Sequence, residues 1–108
     1  MSPEFKITSR DLPGTHIVTL HGELDMASAP RLADALVEIA GSTVVVDLSG
    51  LTFMDSTGIS ALVVARNRVL TEGQGELVVT RPAGMVRRAL EIVGLGDWIV
   101  EWSPDWDR

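Results

Sequence analysis

Apolar and polar residues trade places along this chain with two different periods, and the changes of period mark out its elements. "EFKITSR" alternates at Phe5, Ile7 and Ser9, and "THIVTLHGEL" puts Ile17, Thr19 and His21 on one face and Val18 and Leu20 on the other. A period of two belongs to a half-buried strand. "DLPG", Asp11 to Gly14, lies between them and has turn chemistry, so the two strands are predicted to form an antiparallel hairpin. In "SAPRLADALVEIAG" the period lengthens, and Leu32, Ala35, Leu36 and Ile39 fall on one stripe of a helix. Ser28 is placed to cap that helix, Pro30 suits its first turn, and Gly41 stops it.

"TVVVDL", Thr43 to Leu48, is a continuous β-branched run, as in a strand covered on both faces. After "SGLTFMD" a second helix is expected from about Ser56 to Glu72. Ile59, Leu62, Val63, Val69 and Leu70 form its stripe, which Arg66 interrupts. "GQG" ends it, "ELVVT" supplies a fourth strand, and "PAGMVRRALEIVG" holds a third helix with Val86, Ala89, Leu90 and Val93 on one face. "WIVEW" reads as a short last strand or an extended edge. Two successive strand–helix–strand units after a hairpin predict an α/β fold. Its sheet is mixed, with four to five strands, the later ones parallel, joined by right-handed crossovers and packed helices.

Composition narrows the functional classes. A chain of 108 residues, 45% apolar and 22% charged, suits one globular domain with a single core. Its net charge is −6, and no basic cluster exists beyond Arg87-Arg88, which argues against nucleic-acid binding through phosphate neutralisation. The absence of cysteine excludes disulfides, thiolate catalysis and cysteine-ligated zinc. "MSPEFKITSR" has no apolar signal core, and no stretch approaches the ~20 apolar residues of a membrane span. The expected location is the cytoplasm, with no membrane contact. His16 and His21 sit on opposite faces of a strand and build no metal site, and no cofactor is called for. Trp98, Trp102 and Trp106 recur every four residues, but Pro104 argues against a helical stripe, so core or edge packing is expected of them.

Ligands and partners of such sheets gather beyond the carboxyl ends of the parallel strands. Two loops belong there: "GELDMAS", Gly22 to Ser28, and "SGLTFMDSTG", Ser49 to Gly58. A serine hydrolase would need glycines on both sides of Ser56, yet Met54 holds the first glycine's place and both histidines lie on an early strand. Glycine-rich phosphate cradles are missing, and "GLGD" reads as a helix stop. An aspartyl-phosphate receiver would need paired acids and a late lysine, but Lys6 is the only lysine. Asp55 or Ser56 as N-cap would account for one residue of "DSTG". The run of acid, serine and threonine beside Met54, expected to be exposed, suggests more. A hydroxyl at a helix start is a position where a new phosphate dianion is tolerated by the domain and repels a partner.

"GELDMASAPRLADAL" followed by "VVVDLSGLTFMDSTGISALVVARN" resembles the STAS domain, and within it the bacterial anti-sigma factor antagonists. The likeness runs from the first hairpin to "GLGDWIVEW" and rests on two motifs in order, Gly22-Glu23-Leu24-Asp25 and Asp55-Ser56-Thr57-Gly58. It implies a partner switch. The unphosphorylated antagonist binds an anti-sigma factor that is itself a serine kinase, and a sigma factor is released for transcription. Phosphorylation ends that binding, and a serine phosphatase restores it. Carried over by position, Ser56 is the phosphoacceptor, Asp55 its acidic neighbour and Thr57 a lesser candidate. Gly58 lets the partner approach the backbone. Gly22, Glu23, Leu24, Asp25, Met54 and Ile59 complete the implied partner surface. The chain itself would be no enzyme, and a monomer or weak dimer is expected.

Family members usually end in a further helix, whereas "SPDWDR" offers only a helix start, with Ser103 as cap and Pro104 after it. The expectation is one STAS domain over 1–108 with that helix missing or truncated. The competing role is a STAS subunit or scaffold in a lipid-transport, anion-transport or stress-signalling complex. A small hydrolase or nucleotide-dependent enzyme comes third.

Overall fold

The computed structural model describes residues 4–36, 43–71 and 75–100. A five-stranded sheet runs in chain order, β1 (Lys6–Leu12), β2 (Thr15–Leu24), β3 (Thr43–Met54), β4 (Glu76–Thr80) and β5 (Ile99–Val100). β1 is antiparallel to β2, and every later pairing is parallel. The turn is tighter than the four residues of "DLPG". Leu12 already pairs with Thr15, which leaves Pro13 and Gly14 as the corner, and Gly14 takes φ +72 there at no steric cost.

Helices α1 (Ala29–Leu36), α2 (Ser56–Thr71) and α3 (Gly84–Ile92) make the three crossovers. Because the strand order always steps the same way, right-handed crossovers lay all three on one face of the sheet. One core forms between the layers: Val18, Leu20, Val44, Val46, Leu77 and Val79 meet Leu32, Leu36, Leu62, Val69, Val86 and Leu90. The alternation expected of β2 is seen, with Val18 and Leu20 in this core. Ile17 and Val45 are also buried, on the opposite face. The β-branched run of β3 is thus covered on both sides, as its composition requires.

The stripes shift in detail. On α1, Leu32 and Leu36 are buried but Ala35 is exposed, while Ile39 and the stop at Gly41 lie outside the described residues. On α2 the buried face is Gly58, Leu62, Ala65 and Val69, and Leu70 is exposed. Arg66 interrupts the stripe for a reason: its guanidinium lies over the Trp98 ring, 4.6 Å from the centroid, on a 3-10 turn before β5. α3 ends at Ile92, which leaves Val93 exposed. Glu72, Trp102, Trp106, Ser103 and Pro104 also lie outside the described residues.

The main departure from expectation is β3. It does not end at Leu48 but continues through "SGLTFM" to Met54. Two register shifts against β2 admit one extra β3 residue each, the first between the pairs Thr19–Asp47 and His21–Gly50, the second between Gly22–Leu51 and Glu23–Phe53. β4 stops pairing with β3 at Asp47, so beyond that point the strand pairs with β2 alone.

Candidate functional site

β2 and β3 end side by side, with Leu24 opposite Met54 and the Asp55 N–H donating to the Leu24 carbonyl at 3.3 Å. The two segments singled out in the sequence therefore meet at one end of the sheet. Between β3 and α2 there is a single non-regular residue, Asp55. Its Oδ1 accepts the Gly58 N–H at 3.0 Å and its carbonyl accepts the Ile59 N–H at 3.0 Å. Asp55 is thus the N-cap, and Ser56 and Thr57 occupy the first helical positions with both side chains exposed.

Across from it, Asp25 and Ser28 bond reciprocally. Asp25 Oδ1 accepts the Ser28 N–H at 3.1 Å and the Ala27 N–H at 3.0 Å, and Ser28 Oγ accepts the Asp25 N–H at 2.9 Å. The buried Ser28 hydroxyl donates to the Glu23 carbonyl at 2.7 Å. Ser28 was expected to cap α1 with its side chain, but that side chain reaches back to Glu23 and Asp25 instead. The Asp25 carboxylate caps the turn that leads into the helix.

Several expected partner residues are turned inward. Met54 is 2% exposed and Leu24 0%, because both side chains enter the core; the expectation of an exposed Met54 is overturned by the bulges that rotate it inward. Gly22 and Gly58 are also buried. A Cβ on Gly58 would stand 2.5 Å from the Leu24 carbonyl oxygen, 2.9 Å from Leu24 Cγ and 3.0 Å from Met54 Cγ. Its missing side chain serves the close approach of α2 to the end of β2, and its Cα faces its own chain. Ile59 is half-buried against the core, and Glu23, Asp25 and Asp55 are half-buried at the rim.

Two residues that sequence reasoning passed over complete the surface. Met26, at the tip of the Asp25 turn, is 76% exposed, and Phe53, on β3, is 37% exposed. They add exposed apolar area to the two segments that meet at this end of the sheet. Phe53 was legible as the neighbour of opposite facing to Met54, once the strand is known to run that far. His16 pairs with Asp11 at the far end of β2 and the His21 ring lies against Gly50, so neither imidazole is seen in contact with Ser56. Among the described residues no group of three or more acids and histidines is arranged to hold a metal, and no helix is long and apolar enough to cross a membrane.

The fold is thus a mixed sheet with its helices on one face, presenting a capped helix start beside a carboxylate-capped turn. The family model of the STAS domain matches residues 6–106. The anti-sigma F factor antagonist of Lysinibacillus sphaericus is 31% identical over 95 residues, covering 84% of this chain and 80% of that protein. The crystal structure of an anti-sigma factor antagonist from Mycobacterium paratuberculosis superposes with a TM-score of 0.80 at 26% identity, over 97% of this chain and 94% of that one. Unphosphorylated SpoIIAA, another anti-sigma factor antagonist, gives a TM-score of 0.73 at 25% identity over 95% and 91% of the two chains. The chain belongs to the STAS domain family, in its anti-sigma factor antagonist group.

Proposed function

We propose that this protein is an anti-sigma factor antagonist switched by phosphorylation of Ser56. Its unmodified form binds an anti-sigma factor that is a serine kinase, and the sigma factor held by that kinase is released. The observation that carries the reading is the exposed Ser56 hydroxyl at the first position of a helix capped by Asp55, beside the Asp25 turn. Membership of the antagonist group supports it, as does the exposed apolar area of Met26 and Phe53 on the two segments that meet at this end of the sheet.

The chemistry is divided between two proteins. Ser56 Oγ attacks the γ-phosphorus of ATP bound to the kinase, its proton leaves to a base on the kinase, and ADP departs. This chain presents the nucleophile and does not catalyse. The product carries about −1.5 to −2 charges at neutral pH. At the first turn of α2, which carries no acidic residue of its own, the helix dipole favours the new charge by about 0.3 to 1 kcal/mol, against repulsion from the neighbouring Asp55 carboxylate. The domain therefore tolerates its own modification. A partner that buries Met26 and Phe53 and approaches Ser56 must instead desolvate a dianion, and leaves. A phosphatase that hydrolyses the Ser56 ester returns the protein to its binding state. A cytoplasmic location fits such a cycle, because ATP, the kinase and the sigma factor meet there.

The test is incubation with the partner kinase and ATP, followed by mass spectrometry of the peptide spanning the Asp55–Gly58 box. One phosphate on Ser56 is expected, and none on the Ser56→Ala variant. Modification confined to Thr57 or Ser60, or equal labelling of Ser56→Ala, would overturn the assignment.

A further inference from the structure

Past Asp47, β3 has a strand partner on one side only, and this half-strand places Asp55 and Ser56. Two contacts lie at its root. Asp47 Oδ1 accepts the Ser49 N–H at 2.9 Å, a local side-chain-to-backbone bond at the first register shift. The other carboxylate oxygen, Oδ2, is ion-paired and hydrogen-bonded to the Arg81 guanidinium, which reaches across from the residue after β4. Asp47 is 3% exposed, while the Arg81 side chain is 50% exposed. Arg81 also holds φ +55, the one positive φ at a non-glycine residue among the described residues. A backbone conformation this unfavourable for a side-chain-bearing residue persists where its surroundings enforce it. Here it lies at the point from which the guanidinium meets Asp47.

We propose that Asp47 and Arg81 are positioning residues for the switch: their pairing fixes the bulge at Ser49, and the bulge fixes where the end of β3 delivers Ser56. The proposal rests on the reading of Ser56 as phosphoacceptor for its functional consequence, and on the register of β3 alone for its structural one. Neither residue touches the partner in this scheme; both act through Ser49–Met54. Displacing a reacting group by about 1 Å can cost a phosphoryl transfer on the order of a hundredfold, so even partial relaxation of the bulge is measurable.

Arg81→Gly deletes the guanidinium and removes the backbone strain together, and Asp47→Asn keeps an oxygen for the Ser49 N–H while losing the ionic partner. Two measurements on the full chain read the effect: hydrogen exchange of amides 49–58 against those of Val44–Val46 and Leu77–Val79, and the kinase's kcat/KM for modification at Ser56. Both variants are expected to exchange about fivefold faster over 49–55 with core amides unchanged, and to lower kcat/KM on the order of tenfold. A purely structural ion pair would instead speed exchange uniformly and leave kcat/KM of the folded fraction alone. Uniform exchange, or unaltered exchange over 49–55, overturns the proposal. Failure of the wild-type protein to accept phosphate on Ser56 would sink the phosphoacceptor reading, while the exchange contrast still decides the role of the pair.

Discussion

Replacing Gly58 by alanine sets helix propensity against packing at the one place where α2 meets the end of β2. In an open helix the change is favourable by up to about 1 kcal/mol. Here the new methyl would stand 2.5 Å from the Leu24 carbonyl oxygen, about 1 Å inside an ordinary contact, and 3.0 Å from Met54 Cγ. Neither neighbour moves freely. The Leu24 carbonyl accepts the Asp55 N–H, and the Leu24 and Met54 side chains are packed in the core at 0% and 2% exposure. Overpacking of this kind costs about 1 to 3 kcal/mol. After the propensity gain, a net loss of about 1 to 2 kcal/mol is expected, with a melting point lower by roughly 5 to 10 °C for a domain of this size. Urea denaturation followed by circular dichroism measures it, with an unchanged slope showing that the same structure unfolds. Ser60→Ala, on an exposed position of the same helix, is the control and should be neutral or slightly stabilising. A Gly58→Ala variant as stable as the wild type, or more so, would refute the close-approach reasoning.

The other consequences are as direct. Asp55→Ala should cost about 1 kcal/mol by leaving the Gly58 N–H without its cap, and Asp55→Asn should recover most of it in the same urea titration. Met26→Ala and Phe53→Ala should change stability by less than about 0.5 kcal/mol but weaken binding to the anti-sigma factor by about 1 to 2 kcal/mol each, read by calorimetry. For Asp47, burial pushes the carboxyl up, but its bonds to Arg81 and Ser49 outweigh burial and hold it below the usual carboxylate range. A depressed folded pKa means that the unfolded chain binds the proton more readily. The stability Asp47 contributes is therefore present at neutral pH and lost as pH falls below about 4 through the folded value. The stability difference between wild type and Asp47→Asn should shrink across that window.

Much of this was legible because the local signals agreed with each other. The hairpin alternates with a period of two, and the run of β3 is continuously β-branched. The helical stripes repeat every three to four residues, except at single positions such as Ala35, Leu70 and Val93. That is enough to define an α/β fold with parallel later strands. The stretch from Ser49 to Met54 did not carry such a period. Its two bulges put the inward residues at Leu48, Leu51 and Met54, a spacing of three that matches neither strand nor helix. It therefore reads as loop, and Met54 as exposed. The same spacing hid Phe53, and Met26 sits in a turn where no period exists. The motif residues Asp25, Asp55 and Ser56 were legible as chemistry, but the division of labour was not. That Asp25 caps while Ser28 braces Glu23 follows from hydrogen bonds that a sequence pattern leaves open. Asp47 looked like an ordinary member of a strand, because its partner Arg81 lies 34 residues away.

The central claim is that one phosphate on Ser56 changes which partner stays bound. It is tested most directly by the dissociation constant of the anti-sigma factor for this protein, unmodified and enzymatically phosphorylated, measured side by side by calorimetry. At least a tenfold weaker complex after phosphorylation is expected, which is about 1.4 kcal/mol or more, with the melting point of the free protein little changed. Equal affinity of the two forms, with Ser56 fully modified, would contradict the account.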